Sequence, residues 1–189
     1  MNNNYKNYFL LGEQYYESAR LLLDSVINND NCSIGIGDTA EEAERNLINN
    51  IVKSDVYLFI PALFISIQCV ELYIKGILLI NSITMKNSHE TSDMISSIKG
   101  KYGSKSSLYL CFNDFYNNCI KELKNYKKTN NITTTKELYD SLRYPEGKGK
   151  VYDYFDIRYN GQKAIEHYKK MVKMLEKIHE EVLIEFRKK

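Results

Sequence analysis

One apolar stretch, residues 61–80 (PALFISIQCVELYIKGILLI), constrains the fold more than any other. It is nearly long enough to cross a bilayer, and its eleven Leu, Ile, Val and Phe residues together favour insertion by roughly 5 kcal/mol. Lys75 and Glu71 each oppose insertion by about 3 kcal/mol near a bilayer centre, before Gln68 is counted. The stretch is therefore predicted to be the central helix of a soluble bundle, and no membrane partner is expected.

The polar residues of this stretch share one face of the predicted helix. At about 100° per residue, Gln68, Glu71 and Lys75 fall within roughly 60° of one another. Glu71 precedes Lys75 by one turn, which is the favourable order for a helical ion pair. The pair is either a local salt bridge worth about 0.2–0.5 kcal/mol or the polar lining of a functional cleft, and the sequence leaves both interpretations open.

Composition favours an all-α fold, because only two prolines and nine glycines interrupt 189 residues. We expect a single domain over residues 1–189. Between residues 127 and 156 the pattern is irregular and predicts a loop. Apolar periodicity predicts helices over residues 4–28, about 39–53 (an insert between the first and central helices), 55–81, about 88–100, 107–126 and about 162–189.

The net charge of +2 is unevenly distributed along the chain. Residues 1–97 hold 6 basic and 12 acidic side chains, and residues 98–189 hold 20 basic and 12 acidic ones. Helices of opposite sign can pack against each other within one fold, or the basic half can form a surface for a polyanion with tyrosines as stacking groups. The residues of that surface would be Lys121, Lys124, Lys127, Lys128, Lys148, Lys150, Tyr126, Tyr144 and Tyr152.

Several other features narrow the class of protein. The amino terminus lacks the basic region and apolar core of a secretory signal, so a cytoplasmic location is expected. The four cysteines lack paired C-x-x-C spacing and are predicted to be reduced, ordinary thiols. No cluster of His, Cys and carboxylates has metal-ligand spacing, and the GKGK at residues 147–150 lacks the pattern of a phosphate-binding loop. No cofactor and no metal are expected.

The order of these segments resembles the HEPN family, small all-α domains of higher eukaryotes and prokaryotes. The similarity lies in the first helix YFLLGEQYYESARLLL, the histidine-led turn SHETSDMI, the LRYP before the last helix and, above all, the Q-x-x-E-L-x-x-K core of the central helix. The resemblance implies a four- to five-helix up-and-down bundle, often dimeric, with a cleft between protomers. It also implies a metal-independent ribonuclease in a toxin–antitoxin, phage-defence or CRISPR-associated system, or a relative that has lost catalysis.

The resemblance directs attention to arginine and histidine, because active members carry an arginine followed four to six residues later by a histidine near the start of the last long helix. In this chain eight residues separate Arg158 from His167. Gly161 could leave Arg158 on a preceding loop, and Arg143 of the LRYP is the alternative donor. The candidate catalytic residues are His167, Arg158 and Arg143, with Glu71, Lys75, Gln68 and Tyr144 lining the cleft. His89 is interpreted as a turn residue and His179 as part of the final helix surface.

Two functions therefore remain open from the sequence. The first is an RNA-directed protein of the toxin–antitoxin or phage-defence type, acting as a homodimer, with RNA as substrate and a cognate antitoxin or defence-system protein as partner. The second is a non-catalytic helical module that binds a protein partner or nucleic acid. The basic carboxyl half favours the first, and the departure from the arginine–histidine spacing favours the second.

Overall fold

The computed structural model describes residues 4–83, 91–120, 123–147, 149–154, 157 and 162–188, and these are mainly helical. Besides the helices there are a π-helical turn at Tyr116–Ile120 and a short antiparallel hairpin, β1 (Glu146–Gly147) and β2 (Lys150–Val151). The all-α prediction is confirmed. The helices are α1 (Asn4–Asn28), α2 (Ala40–Ile51), α3 (Asp55–Ile80), α4 (Thr91–Tyr102), α5 (Ser107–Phe115), α6 (Lys124–Thr129), α7 (Thr135–Arg143) and α8 (Gln162–Arg187).

Helix α3 is the centre of the bundle, as the apolar stretch predicts. Helix α1 lies along it, α8 contacts both, α5 packs on α8, and α4 contacts α3 and α5. More than half of the residues of α3 are buried, including residues on all sides of the helix, which explains why the stretch looks apolar throughout. The largest fully buried side chains come from α3, α5, α6 and α8 and include Phe59, Tyr73, Phe112, Phe115, Tyr126 and Tyr168.

Helices α1 and α3 approach each other closely at Gly12. A Cβ atom at Gly12 would lie 2.7 Å from two ring carbons of Tyr73, which is closer than a carbon–carbon contact allows. Glycine is therefore required here so that the Tyr73 ring can lie against the backbone of α1. The contact fixes the spacing of the two helices where α8 joins them.

The predicted insert between the first and central helices is present as α2. Thr39 caps it by accepting a hydrogen bond from the Glu42 amide at 3.2 Å, as its position before a helix predicts. Helix α2 contains no buried residue. It is joined to α3 by the turn at residues 52–54, so α2 and α3 are two helices and not one bent helix.

Two predictions about the carboxyl half are wrong. Residues 107–126 do not form one helix, because α5 gives way to the π-helical turn, in which the side-chain amides of Asn117 and Asn118 bond back to the carbonyls of Asn113 and Asp114. Residues 127–156 are not simply a loop, because they contain α7 and the hairpin. The signal for α7 is a capping box in which Thr134 and Glu137 bond each other's backbone amides.

The fold explains the apolar character of the stretch that includes α3. Among the described residues, one stretch, Ala40–Ile80, is long and apolar enough to cross a bilayer by length and composition alone. Within its most apolar window, 61% of the residues are buried inside the protein. Glu71 is only 3% exposed and is ion-paired, so the helical bundle itself accounts for the apolar character.

Candidate functional site

The polar face of α3 carries a buried ion pair. The Lys75 ammonium donates to Glu71 Oε1 at 2.5 Å, and the two side chains are 19% and 4% exposed. Gln68 is half-buried one turn earlier. These groups do not point into bulk solvent, so the pair is buried more deeply than the surface salt bridge that sequence spacing alone would suggest.

Tyr139 of α7 joins this polar face and was not recognised from the sequence. Its hydroxyl lies 3.4 Å from the Ile67 carbonyl of α3, and its ring contacts Phe64 edge-on. Burial, reinforced by the negative charge of Glu71 and a hydrogen bond to it, raises the pKa of Tyr139 well above its ordinary value. The phenol therefore stays protonated and holds α7 against α3.

His167 lies near the start of α8 and is half-buried. Its ring is edge-on to Phe59 of α3, with the centroids 6.2 Å apart, and edge-on to the neighbouring Tyr168 at 5.9 Å. The Tyr168 hydroxyl donates to buried Asp55 at 2.9 Å, which fixes the start of α8 against the start of α3. His167 is thus held at the amino-terminal end of the central helix.

The candidate residues fall at two levels of the bundle. Phe59, which His167 contacts, precedes Glu71 by twelve positions in α3, or about 18 Å of helix axis at ~1.5 Å per residue. His167 and the Glu71–Lys75 pair therefore lie at separate places along α3 within one protomer.

Arg143 and Tyr144 form an exposed pair at the end of α7. The guanidinium carbon of Arg143 lies 5.1 Å from the centre of the Tyr144 ring, and Tyr144 is 51% exposed. The Tyr154 hydroxyl donates to the carbonyls of Ser141 and Tyr144 at 2.6 and 3.1 Å. These hydrogen bonds hold the backbone that carries the pair. The arrangement is an exposed cation beside an accessible aromatic face, suited to a phosphate and a base.

Most of the predicted basic surface can be located. Lys124 and Lys128 are exposed and Lys127 is half-buried on α6, while the Lys150 ammonium donates to the Asn130 carbonyl. The prediction that Tyr126 and Tyr152 offer stacking faces is wrong, because they are 0% and 9% exposed. Tyr126 instead stacks on Tyr154, with the ring centroids 5.8 Å apart. These two tyrosines therefore pack beneath the surface, and Tyr144 provides its accessible ring.

Several predicted residues lie outside the described residues, so the structure gives no geometry for them. Among the catalytic candidates this applies to Arg158, together with Gly161, the proposed break before α8. It also applies to His89, Lys121 and Lys148.

A cluster of polar groups joins α1, α3 and α8 and was missed from the sequence. The Tyr73 hydroxyl donates to Glu13 Oε1 at 2.5 Å and lies 3.0 Å from His179 Nδ1, which is itself 3.0 Å from the same carboxylate oxygen. The His179 ring stacks on Tyr16 at 4.2 Å. The interpretation of His179 as helix surface is wrong, because its side chain is only 19% exposed. We call Glu13, Tyr73 and His179 the three-helix clasp.

The three-helix clasp keeps the phenol of Tyr73 neutral. Burial first, and then the nearby Cys69 and Glu13, raise the pKa of Tyr73 well above its ordinary value. No sequence pattern links the three residues, because Tyr73 is 60 positions from Glu13 and 106 from His179.

The cysteines are unpaired and mostly buried. Cys69, Cys111 and Cys119 are buried, Cys32 is half-buried, and all four are free thiols, as expected. Burial raises the pKa of Cys111 to about 12 and that of Cys69 well above its ordinary value, so neither is a reactive thiolate. In the part of the chain that the structure describes, no group of three or more His, Cys, Asp and Glu side chains could hold a metal ion.

Comparison with known proteins identifies the family. No curated protein and no solved structure matches the chain significantly. The model of the HEPN domain matches residues 37–184, which is most of the 189-residue sequence and includes α2 through almost all of α8. With the helical bundle around the Q-x-x-E-L-x-x-K helix, this match shows that the chain belongs to the HEPN family.

Proposed function

We propose that this protein is an RNA-directed HEPN protein of the toxin–antitoxin or phage-defence type, and that it cleaves RNA as a homodimer without a metal. The observation that carries the proposal is the exposed Arg143–Tyr144 pair, whose backbone is held by the hydroxyls of buried Tyr126 and half-buried Tyr154. An exposed guanidinium beside an accessible ring, together with the exposed lysines Lys124 and Lys128 of α6, suits single-stranded RNA. The proposed location is the cytoplasm.

The chemistry assigned to the site is attack of a ribose 2′-hydroxyl on the adjacent phosphate. His167 would accept the 2′-hydroxyl proton while the 2′-oxygen bonds to phosphorus and the bond to the 5′-oxygen breaks. The 5′-oxygen would take a proton from water, leaving a 2′,3′-cyclic phosphate and a 5′-hydroxyl. Arg143 or Arg158 would stabilise the added negative charge on the phosphate. Lys75, Gln68 and Tyr144 would line the cleft, and buried Glu71 would hold the Lys75 ammonium in place.

A dimer is part of the proposal because His167 is far from the Glu71–Lys75 pair along α3. His167 and the Glu71–Lys75 pair lie at different levels of one protomer. A second copy could bring its own α7 and cleft residues toward His167, so that the two protomers together supply one site. The proposal predicts that the cleavage rate per protein molecule rises with protein concentration as the dimer forms.

The catalytic assignment is tested by His167→Ala, Arg143→Ala and Arg158→Ala, each assayed for RNA cleavage in EDTA. Loss of a general base or of the phosphate-stabilising cation should reduce the rate by about 10²–10⁴-fold. Arg187→Ala, an exposed arginine at the end of α8, is the matched control and should cleave normally. Unchanged cleavage in all three variants would refute this site.

The RNA surface is tested separately by binding. Tyr144→Ala should weaken binding of a single-stranded RNA by about 1–3 kcal/mol, while Tyr57→Ala, a 56% exposed control on α3, should not. The paired change Lys124→Ala and Lys128→Ala should reduce the slope of log K against log salt by about 0.7 for each phosphate that the protein no longer neutralises. Lys101→Ala with Lys105→Ala, exposed lysines at and just after the end of α4, should leave the slope as in the wild type.

The second candidate is a non-catalytic HEPN module that binds nucleic acid or a protein partner such as an antitoxin. His167 follows Arg158 by nine residues, against four to six in active members, and this departure favours it. It predicts that the purified wild type binds RNA through Tyr144 yet does not cleave it in any metal-free buffer. Growth arrest on expression, relieved by His167→Ala, would instead support the catalytic proposal.

A further inference from the structure

Residues 33–37 form an exposed extended segment that runs antiparallel to α2. The carbonyl of Ile34 accepts a hydrogen bond from the Asn50 side chain at 2.8 Å, and the carbonyl of Ile36 accepts one from Asn46 at 2.6 Å. Four residues of helix rise about 6 Å, and two residues of extended chain about 6.6 Å, so the two spacings match. We call residues 33–37 the outer segment.

Glycines allow the outer segment to lie directly on α2. A Cβ atom at Gly35 would lie 2.0 Å from the Ala43 carbonyl oxygen, and one at Gly37 would lie 2.6 Å from the Ala43 nitrogen. Successive residues of an extended chain point to opposite sides, so Ile36 points away from the helix. Ile36 is 80% exposed and Ile34 is 64% exposed.

The outer segment also presents unused backbone groups. Among the described residues, residues 33–37 take part in no backbone–backbone hydrogen bond. The carbonyls of Ile34 and Ile36 point toward the asparagines of α2, so the backbone groups of Gly35 point the opposite way, as in a strand. An open strand edge with outward apolar side chains is a template for another extended chain.

The charge around the outer segment is mainly negative. Between residues 21 and 45 the sequence contains six acidic side chains and one basic one, the exposed Arg45 of α2. Asp38, immediately after the segment, is exposed, and Glu42 accepts a hydrogen bond from its amide at 3.1 Å. The surface therefore favours a basic occupant and opposes a symmetric contact with the same acidic surface of a second copy.

We propose that the outer segment is a docking strand for an extended segment of a partner protein in which apolar residues alternate with lysine or arginine. The open backbone edge would pair with the partner's backbone, Ile34 and Ile36 would contact its apolar residues, and the surrounding carboxylates would contact its basic ones. Residues 33–36 lie just before the range that matches the HEPN domain, and Gly37 is its first residue. The asparagine bonds to α2 hold the strand in its binding conformation beforehand.

The proposal is tested with a synthetic peptide of alternating lysine and valine, titrated into the full chain by calorimetry and NMR. Binding in the micromolar to millimolar range is expected, with shifts centred on residues 33–37. Ile36→Ser should weaken it at least tenfold, and Leu21→Ser, a 70% exposed leucine on α1, should not. Because Ile36 is exposed, the melting temperatures of both variants should match that of the wild type.

Two further peptides separate strand pairing from charge attraction. A peptide with the same sequence but alternate N-methylated residues cannot donate backbone hydrogen bonds on one edge and should bind at least tenfold more weakly. A glutamate–valine peptide should show no binding. The proposal is wrong if the lysine–valine peptide fails to bind, if Ile36→Ser binds it as the wild type does, or if light scattering shows that Ile36→Ser dissociates a homodimer.

Discussion

At the residue scale, the buried charges are the features that the sequence defined best. The i, i+4 order of Glu71 and Lys75 predicted their ion pair, and the structure confirms it. The depth of the pair was not predictable, because burial depends on the helices that pack around α3, among them α7, whose Tyr139 is hydrogen-bonded to Glu71. The three-helix clasp was not predictable for a related reason, since its partners meet only in the folded chain.

We predict that Lys75→Met destabilises the protein by about 3 kcal/mol, because it leaves the buried Glu71 carboxylate without its ammonium partner. Urea unfolding should show the change as a lower midpoint at constant slope. The double variant Glu71→Gln, Lys75→Met should recover most of the loss. Lys53→Met, an exposed control, should change stability by less than about 0.5 kcal/mol. A double variant as unstable as Lys75→Met would contradict the role of charge.

At the element scale, the long helices were predictable and the short ones were not. The bounds of α1, α3 and α8 follow from apolar periodicity over at least 25 residues each. Helix α7 has nine residues, too few for a periodic signal, and its capping box at Thr134 and Glu137 is the local sign that would have revealed it. The end of α5 was missed because the asparagine bonds that accompany the π-helical turn leave no trace in hydropathy.

A pair of glycines tests helix packing at this scale. We predict that Gly12→Ala destabilises the protein by about 1–3 kcal/mol, because the new methyl group displaces the Tyr73 ring that the three-helix clasp holds in place. Gly100→Ala in α4 meets no atom within 4 Å and should stabilise the protein by about 0.5–1 kcal/mol through helix propensity. Thermal unfolding should show a lower melting temperature for Gly12→Ala and a higher one for Gly100→Ala. A stabilised Gly12→Ala would show that α1 and α3 can separate at low cost.

At the scale of the whole molecule, burial in the fold keeps several tyrosine phenols and cysteine thiols protonated. Burial raises the pKa of Tyr102 and of Cys111 to about 12, and that of Tyr73, Tyr139 and Cys69 well above their ordinary values. All of these groups hold their protons more tightly in the folded state than in the unfolded one. The effect could not be read from the sequence, which shows how many tyrosines there are but not which are buried.

The sign of the resulting pH dependence follows from linkage. The stabilisation is fully present below the ordinary pKa values of 9 and 10 and is lost as pH rises toward the folded values. We predict that the free energy of unfolding falls above pH 9–10 by about 1.4 kcal/mol per pH unit for each fully buried group. Urea unfolding from pH 8 to 11 measures it, and Tyr73→Phe with Tyr139→Phe should make the decline shallower. A flat profile over this range would contradict the buried state of these groups.

The contact between α1 and α8 has a consequence for synthesis of the chain. Phe9 stacks on Phe186 with the ring centroids 4.1 Å apart, and Glu13 contacts His179, so the helix that is made first packs against one that is made much later. While a ribosome is still adding the residues of α8, the apolar side of α1 can be covered only by α3. The nascent chain therefore reaches its complete core only after α8 has emerged, and a variant truncated before Phe186 should aggregate more readily than the full chain.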